Sequence, residues 1–223
     1  MVLAKQVPDP ETPPSQFKID ESTNKVIPPN GVPPVVNGFD LNAVEAAMRI
    51  RDSGADVEIT VLSAGSHFVM DAMKKPLAMG ADRLVLVDDT GLDEIDSAAT
   101  VKVLAAAIKK DGPYDLVLGG RQASDWDQAH VTLGLAEILE LPLVSLVQKL
   151  ELKNDSVLLQ RVIPDGYQEI TAPIPSVITI TNEIGEPRYP NLRGIMQASR
   201  KKPEFFSLAD LGLSLSDLTP KLV

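Results

Sequence analysis

The sequence predicts an α/β fold: a doubly wound, mainly parallel sheet with an antiparallel extension. Short apolar strands alternate with helical patterns up to about residue 140, and such strands are buried on both faces by helices. After Pro142 the rhythm changes to strands alone, separated by turn residues. With 223 residues, 44% apolar and 23% charged, the chain is ordinary in composition and long enough for one large domain or two small ones.

Residues 2–7 (VLAKQV) read as the tail of a short strand, and 17–27 (FKIDESTNKVI) as a hairpin about a Ser-Thr-Asn turn. Asp40 is the expected N-cap of a helix carrying Ala43, Val44, Ala47, Met48 and Ile50, closed near Gly54. A β-branched strand follows at Val57–Ser63, then a helix over 67–79 that Pro76 should distort, then a strand at Leu84–Val87. Ser97 opens an Ala-rich helix to Lys110, with Val103, Leu104 and Ile108 on its apolar side. Leu116–Leu118 is a strand running into Gly119-Gly120, and a helix over 127–140 ends before Pro142.

The strands beyond are 143–152, 157–163, 167–172 and 176–182, divided by Asn154-Asp155 and Pro164-Asp165-Gly166. Two of them should form the antiparallel extension, with Pro173 and Pro175 at edge or linker positions. Residues 183–203 read as a polar loop entering a short helix, so the expected division is 1–182 and 183–223.

Composition excludes several classes of function. With no cysteine there are no disulfides, thiolate nucleophiles or Cys-ligated metals, which is compatible with the cytoplasmic location expected here. The net charge of −10 disfavours nucleic acid as a partner. Neither a signal peptide nor an apolar run long enough for a membrane helix is evident. A basic cluster at Arg193, Arg200, Lys201 and Lys202 reads either as a solvated helix end or as a docking patch.

Four segments fall at strand ends: Lys5–Asp9, Val36–Asp40, Ser63–Ser66 and Gly119–Asp127. Loops there can offer backbone N–H groups and helix N-termini to a phosphate. Gly38, Gly65, Gly119 and Gly120 either permit close approach of a ligand or serve the fold alone. Neither a Walker loop nor a GxGxxG fingerprint is present. Asp125 and Asp127 suit helix capping better than paired-carboxylate catalysis or a magnesium site, for want of a third ligand. His67 and His130 lack a neighbouring nucleophile, and Trp126 is placed either to stack on an adenine or to shield the sheet edge.

The segments AKQVPDP, NGFDLNAVEAAMRIRD, AMGADR, GGRQASDWD and above all EPRYPNLRGIMQASRKK resemble, in order and over nearly the whole chain, the β subunit of electron-transfer flavoproteins. The resemblance implies a Rossmann-like, adenine-nucleotide-binding domain that packs against an α subunit holding most of a redox-active FAD. The β domain itself would hold AMP in a structural role, or a second FAD in electron-bifurcating members. The matching positions are Leu3; Asn37, Gly38, Phe39 and Asp40; Ala64; and Gly120, Arg121, Gln122, Ala123, Ser124, Asp125, Trp126, Asp127, Gln128, Ala129, His130 and Val131.

The resemblance also gives 183–223 a role as partner-recognition loop, short helix and start of a C-terminal arm. Leu192 would be a protruding anchor for flavin-dependent dehydrogenases such as acyl-CoA dehydrogenases, flanked by Tyr189, Arg193, Ile195 and Met196; the alternative is that Leu192 folds back on its own domain. A membrane would be reached only indirectly, through an acceptor oxidoreductase. His130 and Val131 stand where relatives often carry Gln followed by Thr or Val, and Trp126 where a small or acidic residue is common. Against the family pattern the sequence opens inside the first strand and stops at Val223 before the arm, so it is expected to be incomplete.

The competing expectations are a bifurcating subunit that oxidises NADH through a second FAD, and a free-standing ATP-binding or nucleotide-sensing domain. Asp125, Asp127 and Ala129-His130-Val131 loosely resemble the bifurcating group.

Overall fold

The computed structural model describes residues 1–22, 25–27, 29 and 31–219. Its first part contains β1 (Val2–Leu3), β2 (Gln6–Val7), β3 (Lys18–Asp20), β4 (Lys25–Ile27), β5 (Val35–Val36) and α1 (Gly38–Asp52). Then come β6 (Thr60–Gly65), α2 (Met70–Met73), α3 (Lys75–Met79), β7 (Arg83–Asp88), α4 (Ser97–Asp111), β8 (Leu116–Gly120) and α5 (His130–Leu139). The last part has β9 (Leu143–Leu152), β10 (Ser156–Ile163), β11 (Gly166–Pro173), β12 (Ser176–Ile180), α6 (Leu192–Arg200), β13 (Glu204–Phe206) and α7 (Leu215–Leu218).

Nine strands form one sheet in the order β11-β10-β9-β12-β8-β1-β6-β7-β13. Every pairing from β9 to β13 is parallel, and β10 and β11 add the antiparallel extension. Period-two alternation explains the two helical layers. Val2, Val61, Leu84, Leu86, Leu118 and Ile178 face one way, against α1, α2, α3 and α6. Leu3, Leu62, Val85, Val87, Val117 and Val177 face the other way, against α4, α5 and α7. Each such side chain, once fully buried, contributes about 1.5–3 kcal/mol relative to exposure.

The expected fold class holds, with local corrections. Pro76 does divide the 67–79 segment, leaving α2 and α3 joined at Lys74. The strand expected from Val57 begins only at Thr60, because the approach is held by side chains: Asp82 Oδ2 accepts from Ile59 N at 2.8 Å, and Arg51 donates to Val57 O at 3.0 Å. The hairpin at 17–27 is present as β3 and β4, but Thr23 and Asn24 of its turn lie outside the described residues. The strand expected over 176–182 ends at Ile180, and residues 182–184 tighten into a 3-10 turn.

The helix expected over 127–140 starts only at His130. Asp127 and Ala129 adopt left-handed backbone (φ 51° and 56°), which a right-handed helix cannot include. Nor is Asp40 an N-cap. Asn37 occupies the cap and Asp40 lies inside the first turn of α1, buried.

Candidate functional site

The sheet order places a crevice. From β1 the chain builds outward through β6 and β7, then returns to lay β8 on the other side of β1. Ligands of open α/β sheets bind at such a reversal, outside the carboxyl ends of the two strands. The residues that leave β1 and β8 here are Lys5 and Arg121, and the N-terminus of α1 lies between them.

Asp40 ties these pieces together. Its Oδ2 accepts from Lys5 N at 2.8 Å and its Oδ1 from Gly120 N at 3.1 Å, so one carboxylate joins the ends of β1 and β8. Burial pushes its pKa up to about 6, although both backbone donors favour the charged form. Asn37 adds a second tie: its Nδ2 donates to Gln122 O at 2.8 Å and its Oδ1 accepts from Ser124 N at 3.2 Å. Both capping-type side chains thus fasten the 120–124 loop to α1, which explains why Asn37 holds the cap position without a side-chain bond to the helix backbone.

The rest of the loop is held by Lys5 Nζ on Asp125 at 2.6 Å and Gln122 Nε2 on Asp127 Oδ1 at 2.7 Å. The two aspartates therefore brace the loop; they cap nothing. A methyl group on Gly120 would stand 2.5 Å from Asp40 Oδ1 and 2.6 Å from the Phe39 carbonyl carbon, and one on Gly119 would overlap Thr132. These two glycines let helices approach the strand. A methyl group on Gly38, by contrast, would meet nothing within 4 Å, so the first turn of α1 borders open space.

Arg121 lies over the Phe39 ring, 4.9 Å from its centroid. The open first turn of a fifteen-residue helix, the backbone of a tethered loop and this guanidinium suit an anionic phosphate. The crevice thus fits a phosphate-bearing ligand.

Of the other residues expected here, Ala64 is the penultimate residue of β6 and pairs with Val87 of β7, whereas the Leu3 side chain is buried in the core and can offer only backbone. Ala123 lies within the tethered loop; Gln128, Ala129, His130 and Val131 run from its far end into α5. Trp126 is 72% exposed and does not shield the sheet edge. Ser66, His67 and Asp93 meet near the end of β6, but Ser66 donates to Asp93 and His67 Nε2 stands 3.7 Å from the same carboxylate. No serine–histidine pair results. Among the described residues no cluster of metal-ligating side chains exists.

The partner-docking candidates gather elsewhere, at and before α6. Tyr189 is 90% and Leu192 74% exposed, with Ile195 and Met196 half-exposed, so Leu192 does not fold back. Arg193 is exposed beside them. Gly194 brings α6 onto α3, because any side chain there would strike the Ala78 carbonyl. The approach to α6 is fastened to α1 by Arg188 on Glu45, by Arg49 Nη1 on Ile184 O at 2.6 Å and by Asn42 Nδ2 on Gly185 O at 3.0 Å.

Sequence reasoning overlooked Lys5, Asn42, Glu45 and Arg188 as individual residues. The signal for two of them was legible: Asn42 and Glu45 are polar residues inside the apolar stripe of α1, and buried polar groups must have partners.

Fold and crevice together define a doubly wound α/β domain with a crevice where its strand order reverses. Residues 25–211 match the electron transfer flavoprotein domain. The chain is 40% identical over 210 residues to the electron transfer flavoprotein subunit beta of Thermoanaerobacterium thermosaccharolyticum, covering 94% of this chain and 78% of that protein. It is 37% identical over 214 residues to the caffeyl-CoA reductase-Etf complex subunit CarD of Acetobacterium woodii, covering 96% and 80%. With the subunit beta of Megasphaera elsdenii the identity is 38% over 208 residues, covering 91% and 75%.

The chain belongs to the beta-subunit family of electron transfer flavoproteins. Electron transfer in a flavoprotein complex is therefore its function class, and an alpha-type subunit its implied partner. None of its described helices is long and apolar enough to cross a membrane.

Proposed function

We propose that this chain is the beta half of an electron-carrying heterodimer, with FAD held mainly by the alpha subunit and AMP held here. The tethered crevice between β1 and β8 is the observation that carries the reading. Asn37, Gly38, Phe39 and the 120–124 loop would hold the adenosine phosphate, with Ala64 at its margin. AMP supplies no chemistry; it fills and stiffens the crevice. FAD, when bound, supplies reversible electron uptake and release, and this domain positions it.

Dehydrogenases such as those acting on acyl-CoA would deliver electrons by docking on Leu192 and its neighbours, and an acceptor oxidoreductase would bring in a membrane only indirectly. The tether of residues 184–188 to α1 supports this reading, because a docking tip on a fixed base loses little freedom on binding. The cytoplasm is the proposed compartment, with 1–182 as nucleotide domain and 183–223 as docking segment.

A second reading is favoured by the likeness to a caffeyl-CoA reductase-Etf complex subunit: a bifurcating complex whose second FAD occupies this crevice and oxidises NADH. Coexpression with the alpha subunit separates the two. One flavin per heterodimer and transfer from a reduced acyl-CoA dehydrogenase supports the carrier. Two flavins and reduction by NADH supports bifurcation. A stable chain that ignores the alpha subunit and binds ATP would refute both.

A further inference from the structure

We infer that Met196 is a reversible oxidation site, through which hydrogen peroxide disconnects the docking tip from its electron donors. This rests on the docking reading above and deepens it by naming how that surface is regulated. The chain has six methionines and no cysteine, so thioethers are the only sulfur groups that peroxide can meet on it. Met1, Met48, Met73 and Met79 are at most 7% exposed, and Met70 packs partly buried against the core. Met196 is 52% exposed.

The neighbours of Met196 make that exposure consequential. α6 packs on α3 at Gly194, and Ala198 is its one buried residue. Leu192, Ile195 and Met196 stand at i, i+3 and i+4, so their side chains share one stripe of the helix. All three are at least 48% exposed. Met196 thus lies one turn from Leu192, inside the apolar surface that a dehydrogenase would cover.

Hydrogen peroxide passes one oxygen atom to the sulfur. A sulfur lone pair forms the S–O bond, the O–O bond breaks and water leaves, so the thioether loses two electrons and the peroxide gains them. The sulfoxide is polar, and burying it against an apolar pocket leaves its oxygen without a hydrogen-bond partner. Methionine sulfoxide reductases reverse the change, which makes it a switch. The core keeps its packing meanwhile, because the other five sulfurs are shielded.

Peroxide treatment of the heterodimer copurified with its alpha subunit, stopped with catalase, tests this by peptide mapping and by kinetics with an acyl-CoA dehydrogenase. Met196 should be oxidised at least about tenfold faster than any other methionine of this chain. The apparent Michaelis constant for the carrier should rise at least about fivefold, with kcat changed less than about twofold, and return after treatment with methionine sulfoxide reductases. Met196→Leu, measured against its own untreated value, should change less than about twofold on the same treatment. Oxidation of Met196 no faster than that of the other methionines overturns the inference, and so does a peroxide effect that persists in Met196→Leu. Full conversion of Met196 with an unchanged Michaelis constant overturns it too. Leu192→Ala then separates the failures: if that variant raises the constant, the docking reading stands and the inference alone falls, and if it does not, both fall.

Discussion

Arg188 grips Glu45 through its backbone N (3.1 Å), Nε (2.8 Å) and Nη2 (3.1 Å), fastening the approach to α6 onto the middle of α1. Burial works against the Glu45 charge, but the hydrogen bonds from Arg188 and Arg49 outweigh it and hold the carboxyl below its usual range. Its stabilising contribution is therefore present above the unfolded carboxylate pKa and fades as pH falls through the lower folded value. Glu45→Ala leaves Arg188 without its main partner and should cost about 2 kcal/mol in urea denaturation at pH 7. The backbone amides of Gly185, Glu186, Arg188 and Tyr189 should exchange faster with deuterium, and unchanged exchange would show that the clamp does not hold the segment.

Gly120 and Gly38 should respond in opposite senses to alanine. At Gly120 the added methyl meets Asp40 and the backbone of Phe39, so Gly120→Ala should destabilise by about 3 kcal/mol and abolish nucleotide retention. At Gly38 the space is open and the position helical, so Gly38→Ala should be neutral or stabilise by up to about 1 kcal/mol. Thermal melts of the two variants decide it; equal losses would contradict the packing described.

Asp40 should carry a pH signature. A carboxyl raised to about 6 in the fold is stabilising while protonated, and that stability is lost as pH rises from its unfolded value through about 6. Comparing the parent chain with Asp40→Asn between pH 4 and 7.5 isolates the effect. The difference in unfolding free energy should shift by about 2 kcal/mol against the parent as pH rises. A difference independent of pH would mean Asp40 titrates normally.

Leu192→Ala should raise the apparent Michaelis constant for the carrier about tenfold in an acyl-CoA dehydrogenase assay, by removal of an exposed apolar anchor. Nucleotide content should not change, since Leu192 begins α6 and the crevice lies at the ends of β1 and β8. Unaltered kinetics with a cognate dehydrogenase would remove the anchor.

The parallel sheet was legible because its strands are short and apolar, and the extension because turn residues bracket its strands. Strand ends were less so: Thr60 rather than Val57 begins β6 because Asp82 and Arg51, distant in sequence, hold the preceding backbone. The site segments could be placed from periodicity, but not the parts their side chains play. Asp40 and Asn37 look like caps locally, yet serve bonds to Gly120, Gln122 and Ser124, 80 to 87 residues away. Asp127 looks like a helix start, yet its left-handed backbone belongs to a loop whose shape is set by Lys5 and Gln122.

Quantifying the adenine nucleotide released when the copurified heterodimer is denatured tests the central claim most directly. An adenine nucleotide beyond that of the alpha subunit's FAD, about one per chain and missing from the Gly120→Ala variant, is the result expected of a crevice built to hold one. A heterodimer that transfers electrons at full rate with no such nucleotide would contradict it.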